Sequence, residues 1–163
     1  MNDPDLLRVG LGYDVHRLAP GRPCVIGGLV LPHDKGPVGH SDGDAVLHAL
    51  IDALTGAAGL DDIGTLFPDD DPRYRGADSA ALLQAAVAAV HGAGFAVVNV
   101  DLVLIGDEPK LRPHRAALRA RIGELLGLPA ARVNIKGKTT ERLGPLTDGA
   151  GIAVHAICLL RAL

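Results

Sequence analysis

Asp14 and His16 stand two residues apart in the otherwise apolar segment LGYDVHR, residues 11–17. In a β-strand, residues i and i+2 point to the same face of the sheet, so this spacing would place a carboxylate oxygen beside an imidazole nitrogen. Two donors do not make a metal site, and a third must come from elsewhere in the chain. The candidates are His40, Asp42, Asp44 and His48.

His48 is the best placed of these candidates, because it lies on the polar face of a predicted helix. Together with Asp14 and His16 it would supply one carboxylate and two imidazoles and leave a fourth position open, which is the pattern of catalytic zinc sites. From spacing alone, Asp14 and His16 could instead be an ion pair at the end of a strand. Asp44, four residues before His48, could bind the metal, orient His48 or lie on a solvated helix face, and Asp42 is the alternative orienting partner.

The segment KGKTTERLG, residues 136–144, collects cations and hydroxyl groups, namely those of Lys136, Lys138, Thr139 and Thr140. They would suit a phosphate group, and Gly137 would leave backbone N–H groups accessible to it. Glu141 could hold a divalent cation that bridges phosphates. A plain basic turn is the alternative, and neither a Walker A nor a GxGxxG sequence is present. The segment GDEPKLRPH, residues 106–114, is either a charged helix start or a rim that binds a nucleotide.

Composition limits the class of protein. The 163 residues are 48% hydrophobic and 21% charged, which favours one folded domain, and we assign it to residues 1–163. A net charge of −3 and 2% aromatic residues argue against nucleic-acid binding. Cys24 and Cys158 form no CxxC pair, which excludes a zinc–thiolate site within the chain. We expect no membrane segment and a cytoplasmic location, since the N-terminus lacks a signal sequence and no apolar run reaches about 18 residues.

Periodicity and turn residues predict an α/β fold, a single two-layer domain whose mixed β-sheet packs against helices. The predicted strands cover residues 7–16, 95–106, 132–136 and 151–160, with a hairpin over 24–31. The predicted helices cover residues 43–58, 79–94 and 112–127, with caps at Ser41 or Asp42 for the first and at Asp78 or Ser79 for the second. Residues 60–79 are expected to form an irregular loop. The last strand is apolar on nearly both faces, so we expect both faces to be covered.

Several of these motifs occur together in one known family. GYDVHR, IGG, HSDGDAVLHALIDALTGAAGLDDIGTLFPDDDP, GADS and KTTERLG resemble the 2-C-methyl-D-erythritol 2,4-cyclodiphosphate synthases over nearly the whole chain. The resemblance implies a phosphorus–oxygen lyase of non-mevalonate isoprenoid and terpenoid biosynthesis. Such an enzyme cyclises 4-diphosphocytidyl-2-C-methyl-D-erythritol 2-phosphate and releases CMP.

The same resemblance implies a homotrimer with active sites at the subunit interfaces. It implies Zn²⁺ or another divalent cation held by Asp14, His16 and His48. It also implies a second cation, Mg²⁺ or Mn²⁺, bound through Glu141 and the substrate diphosphate. No nucleic-acid or membrane partner is expected.

The family resemblance also assigns roles to individual residues. The catalytic set it implies is Asp14, His16, His48, Thr139 and Glu141. The substrate-binding set it implies is Asp14, His16, His40, Ser41, Asp62, Gly64, Gly106, Lys110, Leu111, Thr139, Thr140, Glu141 and Arg142. Lys138 departs from the family, which often has threonine at this position. A zinc-dependent phosphohydrolase and a noncatalytic nucleotide-binding trimer are the alternative functions.

Overall fold

A five-stranded sheet in the order β4–β1–β7–β5–β6 is the scaffold of this computed structural model, which describes residues 6–163. Its strands are β1 (Leu7–Pro20), β4 (Lys35–Pro37), β5 (Phe95–Ile105), β6 (Val133–Lys138) and β7 (Gly151–Ala162), while β2 (Cys24–Ile26) and β3 (Leu29–Leu31) form a separate hairpin. The helices are α1 (Ala45–Ala58), α2 (Ile63–Leu66), α3 (Ser79–Gly92) and α4 (Arg115–Leu126). Only β5 and β6 pair in parallel, which confirms the predicted mixed sheet. The predicted absence of an N-terminal signal concerns residues that lie partly outside the described range.

The helices cover one face of the sheet. Along β7 the side chains that face the helices are buried, namely Ile152, Val154, Ala156, Cys158 and Leu160. The opposite face of β1 and β7 carries large apolar side chains that are 47–71% exposed: Leu7, Val9, Leu11, Tyr13, Val15 and Ile157. The prediction that both faces of the last strand are covered is therefore wrong for the single chain, because its helices all pack on one side.

Two glycines let α1 lie directly on β1. A Cβ atom added at Gly10 or Gly12 would overlap the backbone carbonyl of Ala53 or Ala49 on α1. Gly10, Gly12, Asp14 and His16 are spaced two residues apart along β1, so all four lie on the same face of the strand. The close approach of the two backbones therefore sets how near α1 comes to these side chains.

The first turn of α1 is capped by Asp44 and not by Ser41 or Asp42 as predicted. The Asp44 carboxylate accepts hydrogen bonds from the N–H groups of Val46 and Leu47, and also from Gly27 and Gly28 in the β2–β3 turn. Burial raises the pKa of Asp44 above its usual value, although the backbone hydrogen bonds oppose this shift. The local pattern did not reveal this role of Asp44, because Gly27 and Gly28, which also donate to its carboxylate, lie 17 and 16 residues away in the sequence.

Other local predictions also change. Residues 60–79 are not wholly irregular: Asp62 caps α2, and Asp71 caps a 3₁₀ turn over Pro72–Tyr74. The helix predicted from residue 112 begins as a 3₁₀ turn and becomes α-helical at Arg115, since the residue before Pro113 disfavours the α conformation. Strand β4 was not predicted, because it is only three residues long.

Candidate metal centre and active site

Three donor atoms converge beside the contact between β1 and α1. Asp14 Oδ2 lies 2.8 Å from His16 Nε2 and 3.1 Å from His48 Nδ1, and the two imidazole nitrogens are 3.3 Å apart. The three side chains are only 13–26% exposed. Within residues 6–163 this is the one cluster of three or more His, Cys, Asp or Glu donors. The donors fit a single ion, since bonds of about 2.0–2.2 Å to zinc can reach all three atoms.

The orientation of His16 is set by its other ring nitrogen. His16 Nδ1 lies 2.6 Å from the carbonyl oxygen of Val38, just after β4. A carbonyl can only accept a hydrogen bond, so Nδ1 carries a proton and the neutral ring turns the lone pair of Nε2 toward Asp14 and His48. The short strand β4 thus has a direct role in forming the site.

The electrostatics of the cluster suit a cation. Burial would raise the pKa of Asp14, but when the rings of His16 and His48 are protonated, their hydrogen bonds and charge outweigh burial and hold that pKa well below its usual range. Burial would lower the pKa of His16, but Asp14 and the Val38 carbonyl raise it above its ordinary value. The site therefore stabilises positive charge between the carboxylate and the imidazoles, and a bound cation would take the place of a proton there.

A cavity of about 550 Å³ opens above these donors. Asp14, His16, His40, Ser41, His48 and Gly64 all line it, so the structure brings together six of the residues predicted from the sequence. Asp62 does not line this cavity, and its carboxylate instead accepts a hydrogen bond from the N–H of Thr65 at the start of α2. Its contact with substrate stays a prediction.

The wall of this cavity includes aromatic residues that the sequence analysis missed. Phe67 and Tyr74 pack edge to face with ring centroids 5.4 Å apart, and both line the cavity. The chain has only two Phe and two Tyr residues, so finding one of each in a segment of eight residues was a usable signal. Asp69, Ile63 and Leu82 line the same cavity and had no distinguishing pattern.

The remaining predicted residues gather elsewhere on the chain. A second cavity of about 370 Å³ is lined by Gly106, Lys110, Leu111 and Thr139. Its other lining residues include four cations, Arg112, Arg115, Lys136 and Lys138, so it suits a phosphorylated ligand. None of its lining residues lines the first cavity.

A third cleft continues from the second and contains Glu141 and Arg142, with Lys110 and Thr139 shared between the two. Glu141 and Arg142 have φ angles of 53° and 58°, in the left-handed region that non-glycine residues rarely adopt. The hydroxyl of Thr139 donates to Glu141 Oε1 at 2.6 Å. Thr140 lines none of these three cavities, and its hydroxyl and N–H are bonded to the Asp107 carboxylate.

Comparison with known proteins agrees with this geometry. A sequence model of the YgbB family matches residues 7–161. The chain is 55% identical over 153 residues to 2-C-methyl-D-erythritol 2,4-cyclodiphosphate synthase of Burkholderia thailandensis, with 94% of each chain covered. No helix in residues 6–163 combines the length and apolar character needed to cross a membrane.

Solved structures give the same result. A structure of 2C-methyl-D-erythritol-2,4-cyclodiphosphate synthase in a CDP-bound form has a TM-score of 0.87 and 46% identity, covering 94% of this chain and 99% of that one. The bifunctional IspDF of Campylobacter jejuni has a TM-score of 0.93 and 37% identity, covering 97% of this chain, which spans 43% of that longer one. With a family match over nearly its whole length and these relatives, the chain belongs to the YgbB family of 2-C-methyl-D-erythritol 2,4-cyclodiphosphate synthases.

Proposed function

We propose that this protein is a lyase that converts 4-diphosphocytidyl-2-C-methyl-D-erythritol 2-phosphate to 2-C-methyl-D-erythritol 2,4-cyclodiphosphate and CMP. The observation that carries the proposal is the convergence of Asp14, His16 and His48 at the base of a cavity large enough for a sugar phosphate. Family membership supports the same reaction in non-mevalonate isoprenoid biosynthesis. We expect the protein to act in the cytoplasm.

In this reaction a 2-phosphate oxygen of the substrate attacks its β-phosphorus. A new P–O bond closes the ring, while the bond between the β-phosphorus and the bridging oxygen breaks and the electron pair leaves with CMP. Because nucleophile and electrophile belong to one molecule, no covalent intermediate with the protein is required. The protein contributes by holding the reacting groups in line, which can lower the barrier by about 7–11 kcal/mol.

The residues around the first cavity would have three different roles in the reaction. Asp14, His16 and His48 would hold Zn²⁺ or another divalent cation, which would supply a Lewis acid for polarising a phosphate oxygen. His40, Ser41 and Gly64 lie on the wall and would bind the methylerythritol phosphate portion. The packed rings of Phe67 and Tyr74 would exclude water, which competes with ring closure.

The second cavity and the adjoining cleft would hold the cytidine diphosphate portion. Gly106, Lys110, Leu111 and Thr139 are the proposed contacts, and the surrounding cations neutralise phosphate charge. A contact from Thr140 stays a prediction, since its hydroxyl and N–H are bonded to Asp107. The departure at Lys138 adds one more cation at this wall.

Glu141 would bind a second cation, Mg²⁺ or Mn²⁺, together with the substrate diphosphate, beside Arg142. Glu141→Gln should therefore raise the magnesium concentration needed for half-maximal rate by about tenfold while zinc content is unchanged. An unaltered magnesium titration would remove Glu141 from this role. Magnesium titration with parallel metal analysis makes the measurement.

A homotrimer would unite these two halves of the site. The two cavities share no lining residue within one chain, and an exposed apolar face on β1 and β7 offers a surface for further copies. Exposed apolar patches of this kind mark association surfaces. We infer that each active site combines the metal side of one subunit with the nucleotide side of its neighbour.

Phosphorus NMR of the reaction product tests the proposal. A cyclic diphosphate together with CMP is the expected product. Linear monophosphates would overturn it in favour of a zinc-dependent phosphohydrolase, and bound but unreacted substrate would indicate a noncatalytic nucleotide-binding trimer. No observation in the structure favours either alternative.

A further inference from the structure

The second ring nitrogen of His48 faces a hydrogen-bonded polar pair, one member of which is buried. His48 Nε2 lies 2.9 Å from the hydroxyl of Ser79, which is completely buried as the first residue of α3. The Ser79 hydroxyl lies 2.5 Å from Asp42 Oδ1, and the Ser79 N–H donates to Asp42 Oδ2 at 3.0 Å. Asp42 is thus connected to His48 through Ser79, and we call these two residues the Asp42–Ser79 pair.

The hydrogen-bond chemistry of the pair restricts where the protons lie. A carboxylate can only accept, so the single hydroxyl hydrogen of Ser79 is donated to Asp42. The Ser79 oxygen then presents a lone pair to His48, and Nε2 must carry the proton to complete the contact. This arrangement leaves Nδ1 of the neutral ring unprotonated, with its lone pair directed at Asp14 and His16. Ser41 Oγ lies 3.0 Å from the same Nε2 and offers it a second acceptor.

We propose that Asp42 and Ser79 are positioning residues that hold the His48 ring in the orientation and tautomer required at the metal centre. The proposal rests on the proposed metal centre and adds two residues that touch neither metal nor substrate. It also decides between the two orienting partners that the sequence left open. Asp44 cannot serve, because its carboxylate is occupied by the backbone N–H groups of α1 and of the β2–β3 turn.

The pair also connects elements that are distant in sequence. Asp42 lies in the loop before α1, whereas Ser79 begins α3, and 37 residues separate them. His48 lies on α1, and its ring is therefore also positioned by a contact with the first residue of α3. Partners of metal-bound histidines that act in this way typically change metal affinity by about 10–100-fold when removed.

Two variants of the full chain test the pair. Ser79→Ala removes the hydroxyl, and Asp42→Asn keeps the shape while removing the charge. We expect each variant to weaken zinc binding by about 10–100-fold in competition with a chelator. In the metal-free protein at a pH where the ring is neutral, Asp14 favours a proton on Nδ1 and the Asp42–Ser79 pair favours one on Nε2. Nitrogen NMR should therefore show a larger fraction of the Nε2-protonated tautomer in the parent than in the variants.

Asp78→Ala is the matched control. Asp78 precedes Ser79 and caps α3, but its carboxylate accepts from the N–H of Ala80 at 2.9 Å and, among residues 6–163, is not hydrogen-bonded to Asp42 or His48. This variant should lower the free energy of unfolding by about 1 kcal/mol, and leave both zinc affinity and the His48 tautomer unchanged.

The outcomes separate this proposal from the proposed function. Zinc affinity within twofold of the parent and an unaltered tautomer in both variants would overturn the role of the pair while the metal centre stands. Weakening of zinc binding by Asp78→Ala to the same extent as by Ser79→Ala would also overturn it, since general loosening of α3 would then explain the effect. A parent protein that binds no zinc, with a tautomer that still shifts in the variants, would reject the metal centre and support the pair.

Discussion

Asp14 is the residue on which the candidate metal centre most depends. One oxygen of its carboxylate lies within 3.1 Å of both imidazoles, and hydrogen bonds and charge from those rings keep its pKa well below the usual range despite burial. Removing this carboxylate would leave His16 and His48 close together with no negative charge between them. The adjacent rings would then repel each other whenever both were protonated.

Asp14→Ala should abolish stoichiometric zinc binding and lower kcat/KM by at least about a hundredfold. Loss of a residue that only hydrogen-bonds to a metal ligand already lowers metal affinity or activity by about 10–100-fold. Steady-state kinetics and metal analysis make the measurement. Glu124→Ala, which removes an ion pair with Arg121 on the surface of α4, is the control and should leave both quantities unchanged. Full activity in Asp14→Ala would contradict the assignment of this residue.

The two cysteines are a further feature at the residue scale. Burial raises the thiol pKa values of Cys24 and Cys158 from an ordinary value of about 9 to about 11. The thiolate is the reactive form, so at pH 8 only roughly one thiol in a thousand is ionised in the native state. Neither cysteine is expected to react with a thiol reagent at pH 8 until denaturant is added.

The same pKa shift predicts how stability depends on pH. Because the thiols ionise more readily in the unfolded chain, their contribution to stability is complete below pH 9 and is lost as the pH rises toward 11. Urea unfolding at pH 8 and pH 10.5 measures the difference, and the double variant Cys24→Ala/Cys158→Ala should show a smaller one. An equal loss of stability in parent and double variant would contradict this prediction.

At the scale of elements, the contact between β1 and α1 brings the metal donors together. Gly10 and Gly12 have no side chains, so the helix backbone can rest on the strand just before Asp14. The N-terminus of the same helix is anchored by Asp44, which ties it to the β2–β3 turn. The position of α1 is thus set by its contact with β1 and by the hydrogen bonds of Asp44, and the position of His48 depends on both.

Gly12→Ala should move α1 away from β1 and destabilise the fold by at least about 2 kcal/mol, since the new methyl group overlaps the Ala49 carbonyl. Zinc affinity should fall as well, because His48 moves with its helix. Gly56→Ala is the matched control on α1, where an added Cβ meets nothing within 4 Å, and it should stabilise the protein by about 0.5–1 kcal/mol. Urea unfolding and chelator competition measure both effects, and equal stability of the two variants would refute the close-contact argument.

At the scale of the whole molecule, the proposed trimer would account for both the uncovered sheet face and the separation of the two cavities. Val9 and Leu11 on β1 are 71% and 67% exposed. If other copies of the chain covered these side chains, the burial of their apolar surface would stabilise the assembly. The same association would bring a basic nucleotide cavity next to a metal centre. Assembly and activity should then depend on each other.

Val9→Lys should dissociate the proposed trimer and lower activity in parallel by at least about tenfold, because burying a lysine on this apolar face is costly. Val30→Lys on β3 is the matched control: Val30 is 70% exposed but lies on the separate hairpin, so assembly and activity should persist. Analytical ultracentrifugation and kinetics on the same samples make the comparison. A monomeric Val9→Lys protein with full activity would show that one chain contains the complete site.

The sequence alone predicted the candidate metal donors and most of the elements that carry them. Period-two spacing placed Asp14 and His16 on one face of a strand, and helical periodicity placed His48 on the following helix. Capping residues predicted the start of α3 at Asp78 or Ser79, and Asp78 is the cap in the structure. These features are local, because backbone geometry relates residues only a few positions apart, and they are therefore readable from a single chain.

Only the tertiary structure decided which distant groups meet. Asp44 was predicted to bind the metal, orient His48 or lie on a solvated helix face, but it is completely buried beneath the β2–β3 turn. Asp42 reaches His48 through Ser79. The apolar outer face of β7 was read as covered, whereas the helices of the chain leave it open. Such contacts depend on which elements pack together and how closely their backbones approach. That is a property of the folded chain as a whole, which local periodicity does not encode.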